Sequence, residues 1–291
     1  MTTKRKELKD LNLLDRFLFA EAMEDPVIVQ NILEIILGKE IALKYLPQTE
    51  KEQRTAPYNR FVKLDVWAWD SEDVVYDTEV QAENTKNLPK RSRLYQGMID
   101  VKLLDPGETD FNKLNQVYII MIMPFDLFGK GLYQYTFQMA CEEAPGIRLE
   151  DGAVRIFLNT NGVRKENVNP ELIELLHYIE HTTETVSRVC TSSRIKDMQK
   201  RITKIKSSEK VGLKYMQAWE EKVLGENQAR EEGKKEGIKE GIIQGEVNGI
   251  IETYKEFEKS TEDIIKKLME RFRMTEKEAR ECIAKHEQGE E

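Results

Sequence analysis

Cysteine, histidine and long apolar runs are all scarce in this chain, and each scarcity excludes something. The three cysteines, Cys141, Cys190 and Cys282, are too few and too widely spaced for a disulfide framework or a cysteine zinc cluster, and they fit a reducing compartment. No apolar run approaches the roughly 18 residues a membrane span needs. The opening MTTKRKELKD is polar, with no apolar signal core behind it. The expectation is a soluble cytoplasmic protein with no membrane partner. Positive charge is outnumbered, 45 Lys and Arg against 53 Asp and Glu, for a net charge of −8. That balance argues against attraction of the whole surface to nucleic acid or anionic lipid, and leaves room for a local basic patch.

What is present is enough for a sizeable core. The chain has 291 residues, 40% hydrophobic and 34% charged, which suits one domain with an appendage or two modest domains. Apolar residues at 13, 14, 17, 18 and 20 have helical spacing. Asp25 followed by Pro26 reads as a helix cap and first turn, and Gly38 as the stop after VIVQNILEIIL. Two strands are expected near 60–69 and 73–82, joined by the turn DSED, then a basic helix near 89–104. In that helix Leu94, Met98 and Val101 are expected to form the core stripe, with Arg91, Tyr95 and Lys102 sharing another face. QVYIIMIMP reads as a strand buried on both faces. Two further strand-like runs and a helix from Pro170 complete an α/β pattern with a mixed sheet.

The rest of the chain changes character. Residues 1–190 hold the α/β core and 191–225 a basic helical segment. Between 194 and 214, eight basic residues face two acids, which suits a solvated helix face or a phosphate-contacting one. Residues 226–250 carry glycine at 233, 237, 241, 245 and 249. Each costs a helix about 1 kcal/mol relative to alanine, so the stretch is either a charged linker or a helix packed closely on a partner, and it points to homo-oligomer formation. Residues 251–291 read as a small helical tail, its last helix opened by the capping box TEKE at Thr275.

The stretch RFVKLDVWAWDSEDVVYDTEVQAE, residues 60–83, bears the chemistry. Alternation puts Lys63, Asp65, Trp67 and Trp69 on one face of the first strand, and Val75, Asp77, Glu79 and Gln81 on one face of the second. Paired as a hairpin, the strands bring Asp65 beside Glu79 and Gln81. Such an oxygen-rich group suits Mg²⁺ or Mn²⁺. Alternation alone fits a wet edge hairpin as well.

Asp65 followed fourteen positions later by Glu79-Val80-Gln81 resembles the metal site of PD-(D/E)XK nucleases. DRFLFAEAMEDP, KLDVWAWD, YDTEVQ, LPKRSRLYQGMIDVKLL, MPFDLFGKGLYQYTFQ and RIFLNTNG, in that order, resemble the branch of recombination-promoting nucleases and transposases over residues 11–190. The resemblance implies a restriction-endonuclease-like mixed sheet flanked by helices, with an α-helical C-terminal extension. It also implies an Mg²⁺- (or Mn²⁺-) dependent endonuclease that acts on DNA in recombination or transposition. Asp65 and Glu79 would be metal carboxylates, the Val80 carbonyl a further ligand, and Gln81 a water-orienting group in place of the lysine of the family name. Arg91, Tyr95 and Gln96 would approach DNA phosphates. Leu64 stands where the name has proline, Lys63 could add charge, and Asp15 matches an outer acidic position. A catalytically degenerate fold acting as a DNA-binding or protein-interaction module is the alternative. HYIEH, residues 177–181, also matches an inverted zinc-protease signature, without an evident third ligand.

Overall fold

The computed structural model describes residues 5–53 and 62–289, with side chains left undescribed at 50–53, 62–64 and 289. The chain divides into two compact units, one through Met216 and one from Gln217.

The first unit is a six-stranded mixed sheet between two helical layers. Its strands are β1 (Gln48–Gln53), β2 (Val62–Trp69), β3 (Val75–Val80), β4 (Val117–Met123), β5 (Gln134–Phe137) and β6 (Ala153–Asn159). Their order is β1-β2-β3-β4-β6-β5. The β1–β2, β2–β3 and β5–β6 pairs are antiparallel, and β3–β4 and β4–β6 are parallel. The parallel β3–β4 pair needs a crossover, which α3 (Leu88–Leu103) supplies. β4 lies at the middle of the sheet and is buried along almost its whole length, as its apolar run predicts. β1, with the polar sequence QTEKEQ, has no apolar alternation and was not expected.

One sheet face packs Val66, Tyr76, Ile120 and Ile156 against α1 (Arg16–Met23), α2 (Pro26–Leu37), α4 (Pro170–Glu180) and α6 (Ser193–Ser207). The caps that frame α2 are those expected. Asp25 accepts the Val27 amide at 3.0 Å, and Gly38 closes the helix at φ 66°, a left-handed conformation that a Cβ disfavours. The other face packs Trp67, Val75, Ile119 and Phe157 against α3 and against Phe125, Leu127 and Phe128 of the segment after β4. There the core stripe differs from the expected one. Leu94 and Val101 are exposed, and the helix buries Leu88, Ser92, Tyr95, Gln96, Met98 and Ile99. The sheet beneath is acidic at two positions of β3, so the helix turns polar as well as apolar side chains inward.

Half of the basic residues between 194 and 214 are engaged within the first unit. After the short α5 (Glu184–Val189), α6 lies against the acidic rims of the preceding helices. Arg194 pairs with Glu34 and Glu171 at 3.1 and 2.5 Å, and Arg201 with Asp25 and Asp197 at 2.9 and 2.8 Å. The Lys206 ammonium donates to the carbonyls of Lys9, Leu11 and Thr182. Lys214, in α7 (Glu209–Glu256), pairs with Glu21 at 2.8 Å.

Residues 226–250 are helical, inside α7. The second unit packs Val247 and Ile251 of this helix on α8 (Thr261–Phe272) and α9 (Glu276–Gly289). Thr275 and Glu278 form the expected capping box, each side chain accepting the other's amide. A Cβ built at Gly237 or Gly241 meets nothing within 4 Å. Gly237→Ala with Gly241→Ala should therefore raise helix stability by about 1 kcal/mol per site, read from thermal melting by circular dichroism. A lowered melting temperature would mean that a partner occupies the stripe in solution.

Candidate active site

The candidate site forms where β2 and β3 part. Their ladder runs from the Trp69–Val75 pair to Val66–Thr78. Beyond it, carboxylates take the places of backbone carbonyls. The Asp65 amide donates to Glu79 Oε1 at 2.8 Å, and the Val80 amide donates to Asp65 Oδ2 at 3.3 Å. The hairpin register thus brings Asp65 and Glu79 together, as alternation predicts, and Val80 brings its amide to Asp65. Both acids are almost wholly buried, at 5% and 3% exposure.

Burial of two like charges side by side is unfavourable, and the Glu79 carboxyl reflects it. Glu79 is pushed up to about 8, first by desolvation and then by the Asp65 carboxylate, against smaller pulls from the Asp65 amide, Arg91 and Arg16. Asp77, two residues back on the same face, has no exposed surface, and neither carboxylate oxygen finds a hydrogen-bond partner. Desolvation, then Glu79 and Asp65, hold it well above the ordinary carboxylate range. Sequence reasoning placed Asp77 on this face without singling it out. The available signal was a third acid at the alternation spacing of Glu79, under a helix.

Gln81 follows at the end of β3. Its amide nitrogen donates to the Glu83 carbonyl at 2.8 Å, and its side-chain oxygen accepts from Arg91 Nη2 at 2.5 Å. The guanidinium of Arg91 lies 5.7 Å from the Tyr95 ring centroid, one helical turn on. Position 81 itself brings no charge, so Arg91 brings one to it from α3. Of the three residues expected on DNA, Arg91 is half-buried at the site, whereas Tyr95 and Gln96 are buried beneath α3. Gln96 donates to Asp100 at 2.8 Å. Burial and then the Glu79 charge raise the Tyr95 phenol, which stays neutral.

The remaining expectations fall outside this cluster. Asp15 caps α1, accepting the amides of Phe17 and Leu18 at 3.0 and 3.4 Å. The Lys63 side chain lies outside the described residues. In HYIEH the His177 and His181 rings meet edge to face at 4.8 Å, while Glu180 accepts the Thr160 hydroxyl at 2.6 Å.

Among the described residues, no three His, Cys, Asp or Glu side chains are placed to hold a metal ion together. The donor chemistry nonetheless fits a hard divalent cation. Asp65 and Glu79 offer carboxylate oxygens from adjacent strands, and their mutual repulsion favours a cation between them.

A model of the PD-(D/E)XK nuclease family transposases matches residues 15–229. The chain belongs to that family. The match covers the whole sheet, the Asp65 and Glu79 pair and α6. The six-stranded mixed sheet flanked by helices is the fold expected of it. No protein of curated function and no solved structure matches the chain.

The raised Glu79 value carries a pH consequence. Between about pH 4.5 and 8 the unfolded chain gives up the Glu79 proton while the folded one keeps it, so stability falls as pH rises through that window. Glu79→Gln should flatten this trend in EDTA and raise the melting temperature most near pH 8. Parallel curves for the two proteins would contradict the buried-pair account.

Proposed function

We propose that this family member is a metal-dependent endonuclease that hydrolyses DNA phosphodiesters at Asp65, Glu79 and Gln81. The observation that carries the reading is the juxtaposition of two buried carboxylates, joined through the Asp65 amide at 2.8 Å, with Glu79 raised by burial and then by its neighbour's charge. Asp65 and Glu79 would hold Mg²⁺ or Mn²⁺, with the Val80 carbonyl as a further ligand. A divalent cation there supplies an activated water and neutralises a phosphate oxygen. Gln81, turned by its bonds to Arg91 and Glu83, is placed to orient that water by hydrogen bonding rather than by charge. Arg91 offers its guanidinium to the phosphate, and Tyr95 and Gln96 form the wall behind it. Recombination or transposition is the setting the family name suggests. Hydrolysis alone accounts for strand cleavage and not for strand transfer.

A second reading has its own observation. The carboxylates are engaged by backbone amides, and the Gln81 amide is engaged at both ends, bonds that could serve the fold alone. On that reading the fold binds DNA or a protein without cutting.

Cleavage of supercoiled plasmid separates the two. With Mg²⁺ or Mn²⁺ the protein should nick or linearise DNA, EDTA should stop it, and Asp65→Ala should reduce the rate by on the order of 10³. Because Glu79 must lose its proton to take a cation, the rate should rise from pH 6 towards 8. DNA that is bound, intact and indifferent to metal would favour the binding module.

A further inference from the structure

The buried acid of this site is paired with a cation that lies mostly in solvent. Arg16, the first residue of α1, places a guanidinium nitrogen 3.2 Å from Asp65 Oδ1, with its side chain 57% exposed against 7% for the acid. Its charge also reaches Glu79, where it lowers the carboxyl alongside Arg91. The Asp15 cap fixes the start of the helix, so the backbone at Arg16 is held independently of the ion pair.

Two requirements meet at this residue. A divalent cation drawn to Asp65 and Glu79 has to compete with the guanidinium that pairs with Asp65 at 3.2 Å. An ion pair with so exposed a partner is weak, and its long side chain can change partners at little cost. The site also needs positive charge for a phosphodiester, and position 81, a glutamine, offers none. Arg91 is half-buried, bonded to Gln81 and placed against Tyr95. Arg16 is the guanidinium at the site with most of its surface in water, and its planar fork suits two phosphate oxygens.

Resting on the nuclease reading above, we propose that Arg16 is a placeholder cation. It neutralises Asp65 while no divalent cation is bound, and it turns to the substrate phosphate when one is. Acid and substrate thus share one guanidinium, and DNA gains an extra contact only on the metal-loaded protein.

The test has two readouts besides cleavage, both on the full chain. Titration calorimetry with MnCl₂ alone compares wild type, Arg16→Ala and Arg16→Lys. Removing the competitor should tighten Mn²⁺ binding by about two- to five-fold in Arg16→Ala, while Arg16→Lys, which keeps the charge, stays near wild type. Binding of a phosphorothioate duplex is then followed against salt. With Mn²⁺ the slope of log affinity on log salt should be shallower for Arg16→Ala by about 0.9, one phosphate contact, and in EDTA the two slopes should coincide. Unchanged or weaker Mn²⁺ binding in Arg16→Ala, or equal slopes with Mn²⁺, overturns the placeholder. If wild type itself takes up no Mn²⁺ the nuclease reading falls too, whereas Mn²⁺ uptake indifferent to Arg16 removes this proposal alone. Should Arg16→Ala not fold, Arg16→Gln carries the same comparison.

Discussion

Two backbone amides satisfied by carboxylates, where a sheet ladder would use carbonyls, are the constraint on which the candidate site depends. Buried amides must be paired, and where β2 and β3 part the pairing falls to Asp65 and Glu79. The same bonds draw two carboxyl groups into one buried space. Burial, and then that closeness, raises both Glu79 and Asp77, and Arg16 and Arg91 reach the pair from separate helices. The fold therefore stores an electrostatic imbalance at the end of a hairpin, close to the parallel strands where α/β sheets generally place their ligands.

Much of this was legible in the sequence, because it depends on short-range geometry. Alternation in KLDVWAWD and YDTEVQ fixes which residues share a face, and one hairpin turn fixes which residues meet. The Asp25-Pro26 cap, the Gly38 stop, the Thr275 box and the doubly buried β4 follow from local rules that hold whatever lies beyond them. What escaped was set by tertiary contact. Arg16 lies on another element, forty-nine positions before Asp65, and no pattern links them. Leu94 and Val101 look like core by spacing, yet the face of α3 that turns inward is decided by an acidic strand below. β1 is polar throughout and is defined by its pairing with β2 rather than by its own residues.

The basic stretch from 194 to 214 illustrates the same division. A run of positive charge invites a phosphate-binding interpretation, but a chain with excess acid has internal uses for its cations. Four of the eight basic residues neutralise carboxylates or cap carbonyls within the first unit. Net charge over a window says nothing about where the opposite charge lies.

Those ion pairs also bear on where the first unit can be cut. A fragment ending at residue 190 would lose Ile195, Met198 and Ile202 from the core and strand Glu34, Glu171, Asp25 and Glu21 as an uncompensated acidic face. The sheet and its carboxylates would remain covalently intact, on a domain missing one wall. The core of the first unit thus extends past its last strand and takes one wall from α6, a helix whose composition sets it apart from the sheet.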